Sequence, residues 1–135
     1  MPTPQQTNLT EPCPCGGPSP YAACCGRFLD DHLVPETAEA LMRSRYTAYV
    51  QGRVDYLLQT WHPSTRPATL DLGNEPVRWL SLQVRRAEAG RPQDDEGIVE
   101  FIARYKLGGR AHRLHEISRF VRENGRWFYR DDAGR

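Results

Sequence analysis

The chain has 135 residues, 39% of them hydrophobic, enough for one globular domain with a core and a small appendage. With 18 basic and 17 acidic residues the formal charge is +1, so the chain lacks the basic face that strong nucleic-acid binding needs. No run approaches the ~18 apolar residues of a membrane span, and Met1 to Thr10 is polar and Pro-rich without an apolar signal core, so a cytoplasmic chain with no membrane attachment is expected.

Residues 1–12 place Pro2, Pro4 and Pro12 among polar residues, offer nothing to bury, and are predicted to be a flexible tail. The only four cysteines follow at once: Cys13, Cys15, Cys24 and Cys25. Soft ligands in two close pairs across a Gly- and Pro-rich loop suit a tetrahedral thiolate site, with Zn²⁺ the expected ion and iron the alternative for the same ligands. Two cramped disulfides between the pairs are the competing reading, but they belong to secreted chains. A shell of four thiolates leaves no open position for a catalytic water, so the metal is expected to be structural. Tyr21, Phe28 and Leu29 are expected to dock this knuckle, residues 13–29, on the main domain.

The main domain is predicted over residues 35–132. Thr37 reads as an N-cap with Glu39 in the first turn, and Ala38, Leu41, Met42, Tyr46 and Tyr49 recur at helical spacing until Gly52. A second short helix carries Val54, Leu57, Leu58 and Trp61 and ends at His62-Pro63; Pro67 to Pro76 reads as loop. Strands come next. Leu80, Leu82 and Val84 are expected on one face, and Val99, Phe101, Ala103, Tyr105 and Leu107 form a period-two apolar face. Asn124-Gly125 predicts a tight hairpin pairing Glu123 with Arg126, Val121 with Phe128 and Phe120 with Tyr129. Helices followed by an antiparallel sheet make an α+β fold. One hairpin face carries Leu114, Glu116, Ser118, Phe120, Trp127 and Tyr129; the other carries His115, Ile117, Val121 and Phe128. Helices can cover one face and a second subunit the other, hence an expected homodimer through the sheet.

Arg45 is the anomaly of the first helix. At about 100° per residue it falls roughly 40° from Leu41, inside the apolar arc, whereas Arg43 points away and is expected to face solvent. A guanidinium aimed at the core needs a carboxylate or carbonyls, and Glu116 is the expected partner. Tyr49, Trp61, Ser118, Phe120, Trp127 and Tyr129 are read with this pair as core or, in the sharper alternative, as the lining of a binding cavity. His62 and His115 are weak acid–base candidates, and no nucleophile motif or phosphate loop accompanies them.

Pro12 to Gly26, P-C-P-C-G-G-P-S-P-Y-A-A-C-C-G, resembles the SEC-C zinc motif known from the tail of the SecA translocation ATPase. Ala40 to Val50 (A-L-M-R-S-R-Y-T-A-Y-V), Thr60 to Pro67 (T-W-H-P-S-T-R-P) and His115 to Tyr129 (H-E-I-S-R-F-V-R-E-N-G-R-W-F-Y) resemble the YchJ-type family of uncharacterised bacterial proteins. The resemblance implies a SEC-C knuckle ahead of a domain similar to nuclear transport factor two, in which a bent antiparallel sheet wraps N-terminal helices as a cone. Such domains commonly dimerise through the sheet, and their relatives include both enzymes and binders. SEC-C loops usually carry lysines; here Gly16 to Ala23 holds no charge, which weakens transfer of nucleic-acid or chaperone roles. The leading expectation is a non-enzymatic, zinc-stabilised adaptor with the knuckle docking a protein partner. The alternative is a small-molecule or enzymatic pocket using Arg45, Glu116 and a histidine.

Overall fold

The structure, a computed structural model, describes residues 7–73 and 77–133. The first six residues of the expected tail and the end of the expected loop, 74–76, lie outside the described residues. The rest of the tail is tied down: Tyr21 N–H donates to the Glu11 carbonyl (2.9 Å), Ala22 N–H to that of Leu9 (3.0 Å), and Pro12 bridges to Pro20. A 3₁₀ turn, Tyr21–Ala23, leads to the short helix α1 (Gly26–Leu29). Helices α2 (Ala38–Gln51) and α3 (Val54–Gln59) follow, then strands β1 (Val77–Ala89), β2 (Glu96–Leu107), β3 (Arg110–Glu123) and β4 (Arg126–Asp132).

Local chemistry sets the ends of α2. Thr37 is extended, and its Oγ1 accepts the Ala40 N–H at 3.0 Å. At the other end Gly52, at φ 70°, returns its N–H to the last carbonyls of the helix, a left-handed stop that costs glycine little.

The strands form one antiparallel meander in the order β1-β2-β3-β4, with helices first and strands after, an α+β architecture. Asn124 and Gly125 both have positive φ (54° and 78°), the twist-matched two-residue turn, and the hairpin takes the register expected of it. β1 departs from the expected alternation. Register shifts between Trp79 and Ser81 and between Val84 and Arg86 each insert one residue, so Trp79, Leu82 and Val84 share the inner face while Leu80 is 45% exposed. Each bulge re-phases the strand and bends it, curling the sheet over α2. The last edge is closed by Thr60–His62: Tyr129 N–H donates to the Thr60 carbonyl at 2.8 Å and His62 N–H to that of Tyr129 at 2.7 Å.

A single hydrophobic cluster runs from Cys13, Cys15 and Cys25 through Leu41, Tyr46 and Ala48 of α2 to Val99, Phe101 and Phe120 of the sheet. Near the mouth of the β1–β2 turn, the Ala38 N–H donates to the Gly90 carbonyl (2.9 Å). A Cβ on Gly97 would come within 2.6 Å of the Gly90 backbone, so only glycine lets the turn press this close to the start of α2.

Candidate functional site

The four cysteines converge: their sulfurs all lie within 4.8 Å of one another, with 3.6 Å between those of Cys15 and Cys24. Bonds of about 2.3 Å from a tetrahedral Zn²⁺ to four thiolates give sulfur–sulfur edges of roughly 3.8 Å, so the group fits such an ion. A disulfide needs about 2.05 Å, and all four cysteines are free. Space is reserved as well. A Cβ on Gly17 would sit 3.2 Å from the Cys24 sulfur and 3.4 Å from that of Cys15, closing the cradle that the glycine leaves open.

The knuckle is fastened to one side of α2. Cys13 Sγ lies 3.9 Å from Thr47 Oγ1, and Tyr21 OH donates to Gln51 at 3.4 Å. Arg43, expected to face solvent, instead donates from Nη1 to the Cys15 carbonyl (2.7 Å) and from Nε to Glu39 (2.9 Å). Arg53 reaches the Leu29 carbonyl at 3.0 Å and the Asp30 carboxylate. Crowding divides the protons among the thiols. Hydrogen bonds from Cys15 and Cys25 hold the Cys13 thiol far below its ordinary value. The hydrogen bond with Cys13 pushes Cys25 far above it, while burial pushes Cys24 up to about 12. A metal must displace protons from the raised thiols, so its affinity grows with pH. Chelator competition between about pH 6 and about pH 8 should show affinity falling roughly a hundredfold or more per unit of acidification, because Cys24 and Cys25 each give up a proton. A flat profile would contradict four-thiolate ligation.

The opposite side of α2 faces a cavity of about 350 Å³ enclosed by the curl of the sheet. Of the residues singled out in the sequence, Arg45, Tyr49, Trp61, Glu116, Ser118, Phe120 and Tyr129 line it. Trp127 does not. It is 3% exposed, its Nε1–H donates to the Glu36 carbonyl (3.0 Å), and it lies nearer the hairpin tip, pinning the segment that leads into α2. Met42, Tyr46, Trp79, Phe101, Ala103 and Leu114 complete the wall. Ala103 was the missed signal: one small side chain opposite Leu82 and Leu114, among larger neighbours on the same face.

Arg45 is 6% exposed, but the expected ion pair with Glu116 is not what holds it. Its Nη1 donates to the Leu57 carbonyl (2.7 Å) and to Thr60 Oγ1 (2.6 Å). The guanidinium lies over the rings of Trp61 (5.1 Å) and Tyr129 (4.7 Å). The last carbonyls of α3 have no partner within the helix, and Leu57 offers one at the reach of Arg45. Glu116 is engaged elsewhere, its Oε2 accepting from Ser118 Oγ (2.5 Å) and Tyr129 OH (3.4 Å). Burial lowers the arginine's pKa, yet a guanidinium remains protonated, so the cavity wall holds a fixed positive charge.

Neither histidine lines the cavity. His62 shares its Nε2 with Glu123 (2.8 Å), while Nδ1 lies 2.7 Å from Ser64 Oγ and accepts the Ser64 N–H at 3.1 Å. The order Ser–His–Glu is that of an acyl-transfer triad, but the backbone N–H on the same nitrogen makes the arrangement a capped turn at the surface. His115 sits on the outer face of the sheet, 2.6 Å from Glu100, and that hydrogen bond holds the Glu100 carboxyl below its usual range.

Residues 37–132, from the cap of α2 to the end of β4, match the model of the YchJ middle domain, described as similar to nuclear transport factor two. The chain belongs to the YchJ family. A UPF0225 protein of Chromobacterium violaceum is 59% identical over 120 residues, 87% of this chain and 88% of the relative. One of Bordetella pertussis is 52% identical over 122 residues, covering 88% and 90%. Among solved structures, RPA3114 of Rhodopseudomonas palustris, a SEC-C motif containing protein, is similar with a TM-score of 0.77 and 34% identity, over 91% of this chain and 98% of that one. A SEC-C motif containing protein of Psychrobacter arcticus is similar with a TM-score of 0.70 and 27% identity, over 88% and 80%. Within the YchJ family frame, the matched domain contains the whole cavity wall, and the cysteine cluster that can hold a metal precedes it.

Proposed function

We propose that this YchJ-family chain is a zinc-stabilised binding protein whose ligand is a small organic molecule held in the Arg45 cavity. The observation that carries the reading is a cavity of about 350 Å³, walled mainly by apolar and aromatic side chains, with a buried guanidinium fixed by a backbone carbonyl on one side and Glu116 and Ser118 on the other. Volumes of about 300–1,000 Å³ with a few fixed polar groups are the usual form of a ligand site. Zinc is the ion the closed four-thiolate set favours, and its role is to hold the knuckle against α2. Binding rather than turnover is the reading because both imidazoles sit outside the cavity wall, on Glu123 and Glu100. Ala103→Leu is the test. Leucine fills the space above β2 and should leave stability within about 1 kcal/mol while removing the chemical-shift changes that small aromatic probes induce at Trp61 and Trp79. Probes that bind Ala103→Leu as they bind the parent would refute the cavity as the site.

A homodimer through the sheet belongs to the same proposal. The outer face brings half-buried Ile98 and Ile117 together beside Val121 and Phe128. Light scattering should give twice the mass of the chain, and Ile117→Lys should halve it; a monomer at about 100 μM removes the dimer. A partner docked on the knuckle has narrower support. Three of the four cysteines are turned inward against α2, although Leu33 (56% exposed) and Val34 (39%) leave apolar surface beside α1. A reducing cytoplasm suits the free thiols.

A further inference from the structure

Resting on that reading of the cavity, we infer that its ligand is a small planar carboxylate, an aryl or conjugated monoacid of about ten non-hydrogen atoms. Three observations converge. The first is charge. Arg45 is 6% exposed and permanently protonated, and none of the ion pairs among the described residues includes it. Glu116 on the facing wall acts on it without touching it, so the guanidinium has no contact partner of opposite charge, and a carboxylate entering the cavity supplies one.

The second is a surplus of donors. Both hydrogen bonds of the guanidinium run through Nη1, so Nε–H and the Nη2 hydrogens have no acceptor among the described residues. The indole N–H of Trp61, whose ring lies 5.1 Å from the guanidinium, is also buried and without a partner. The unused guanidinium donors of Arg45 on the cavity wall call for a ligand group that only accepts, and an ionised carboxylate has two such oxygens. Glu116 makes no hydrogen bond to these donors; its Oε2 accepts from Ser118 and Tyr129 instead.

The third is shape. Apart from Glu116 and Ser118 the remaining wall is apolar and aromatic, with Trp79 set edge-on to Tyr46 at 5.6 Å and tilted against Tyr49 at 6.0 Å. Flat walls favour a flat body. At about 30 Å³ per water, 350 Å³ holds roughly a dozen waters, the bulk of a single substituted ring.

Zinc-loaded full-length protein titrated with benzoate and with its neutral isostere benzamide, followed by calorimetry and by tryptophan fluorescence, tests the assignment. Benzoate should bind at least about tenfold tighter than benzamide, the ratio expected of hydrogen bonds to a charged donor. Arg45→Met should erase that preference. Because Arg45→Met can fail by misfolding, Glu116→Gln provides an independent arm: removing the like charge on the facing wall should raise the preference for benzoate over benzamide several-fold. Benzamide binding as well as benzoate, or no rise in that preference with Glu116→Gln, overturns the carboxylate assignment and leaves the cavity reading intact. Neither compound perturbing the cavity tryptophans overturns both.

Discussion

Cys15→Ser should abolish stoichiometric metal binding and lower folding stability by several kcal/mol, the largest effect expected of any single substitution in the knuckle. Cys15 is fully buried, its carbonyl holds Arg43 of α2, and its sulfur is 3.6 Å from that of Cys24. Zinc-finger peptides owe on the order of 10 kcal/mol of apparent folding energy to their ion, and part of that is at stake wherever a metal holds a segment against a core. Cys24→Ser should lose the metal equally but cost less, because Cys24 is only half-buried and its loss leaves the packing beneath it in place. Hydrogen exchange locates the damage. Amides of residues 13–29 and the adjoining side of α2 should lose protection, while β2 and β3, with 12 and 14 residues in a continuous ladder, keep theirs. An unchanged urea midpoint for Cys15→Ser, with zinc still bound at one per chain, would refute the cluster as the metal centre.

Arg45→Ala should cost about 3–5 kcal/mol. The substitution strips hydrogen bonds from the Leu57 carbonyl and Thr60, removes a cation from two aromatic faces and opens a hole beside the cavity. Arg45→Met should cost about 2 kcal/mol less. Methionine refills the stem, and no carboxylate in direct contact is left bare. Had Arg45 and Glu116 formed a contact ion pair, both variants would in addition strand the acid, and replacing Glu116 as well would recover that cost. Chemical denaturation of Arg45→Met with and without Glu116→Gln distinguishes the cases, and recovery of stability in the double variant would argue for a contact pair.

The difference between that expectation and the structure shows what sequence can carry. Thr37, Gly52 and Asn124-Gly125 act within four residues of themselves, through a side-chain cap, a positive φ and a two-residue turn, so α2 and the last hairpin could be read directly. The cysteine pairs were legible because few arrangements other than a metal centre tolerate four thiols so close together. The bulges in β1 were not, because they answer to how the sheet must curl around a helix, and Leu80 looks like its neighbours in sequence. Arg45 was correctly placed in the interior by periodicity, but its partner was a main-chain carbonyl. Every residue type has one of those, so composition gives no sign of it. Trp127 shares a face with the cavity residues and misses the cavity by distance along the strand, which face assignment alone does not measure.

Helix α2 has consequences beyond its packing. Arg43 and Thr47 hold the knuckle on one side, and Arg45 and Tyr49 wall the cavity on the other, so the cysteine cluster and the cavity share one rigid element. Where two ligands favour the same placement of a shared element, each must raise the other's affinity by the same factor. The ion in the knuckle and the molecule in the cavity would then sense each other across the width of a single helix, and saturating either should tighten the hold on the other.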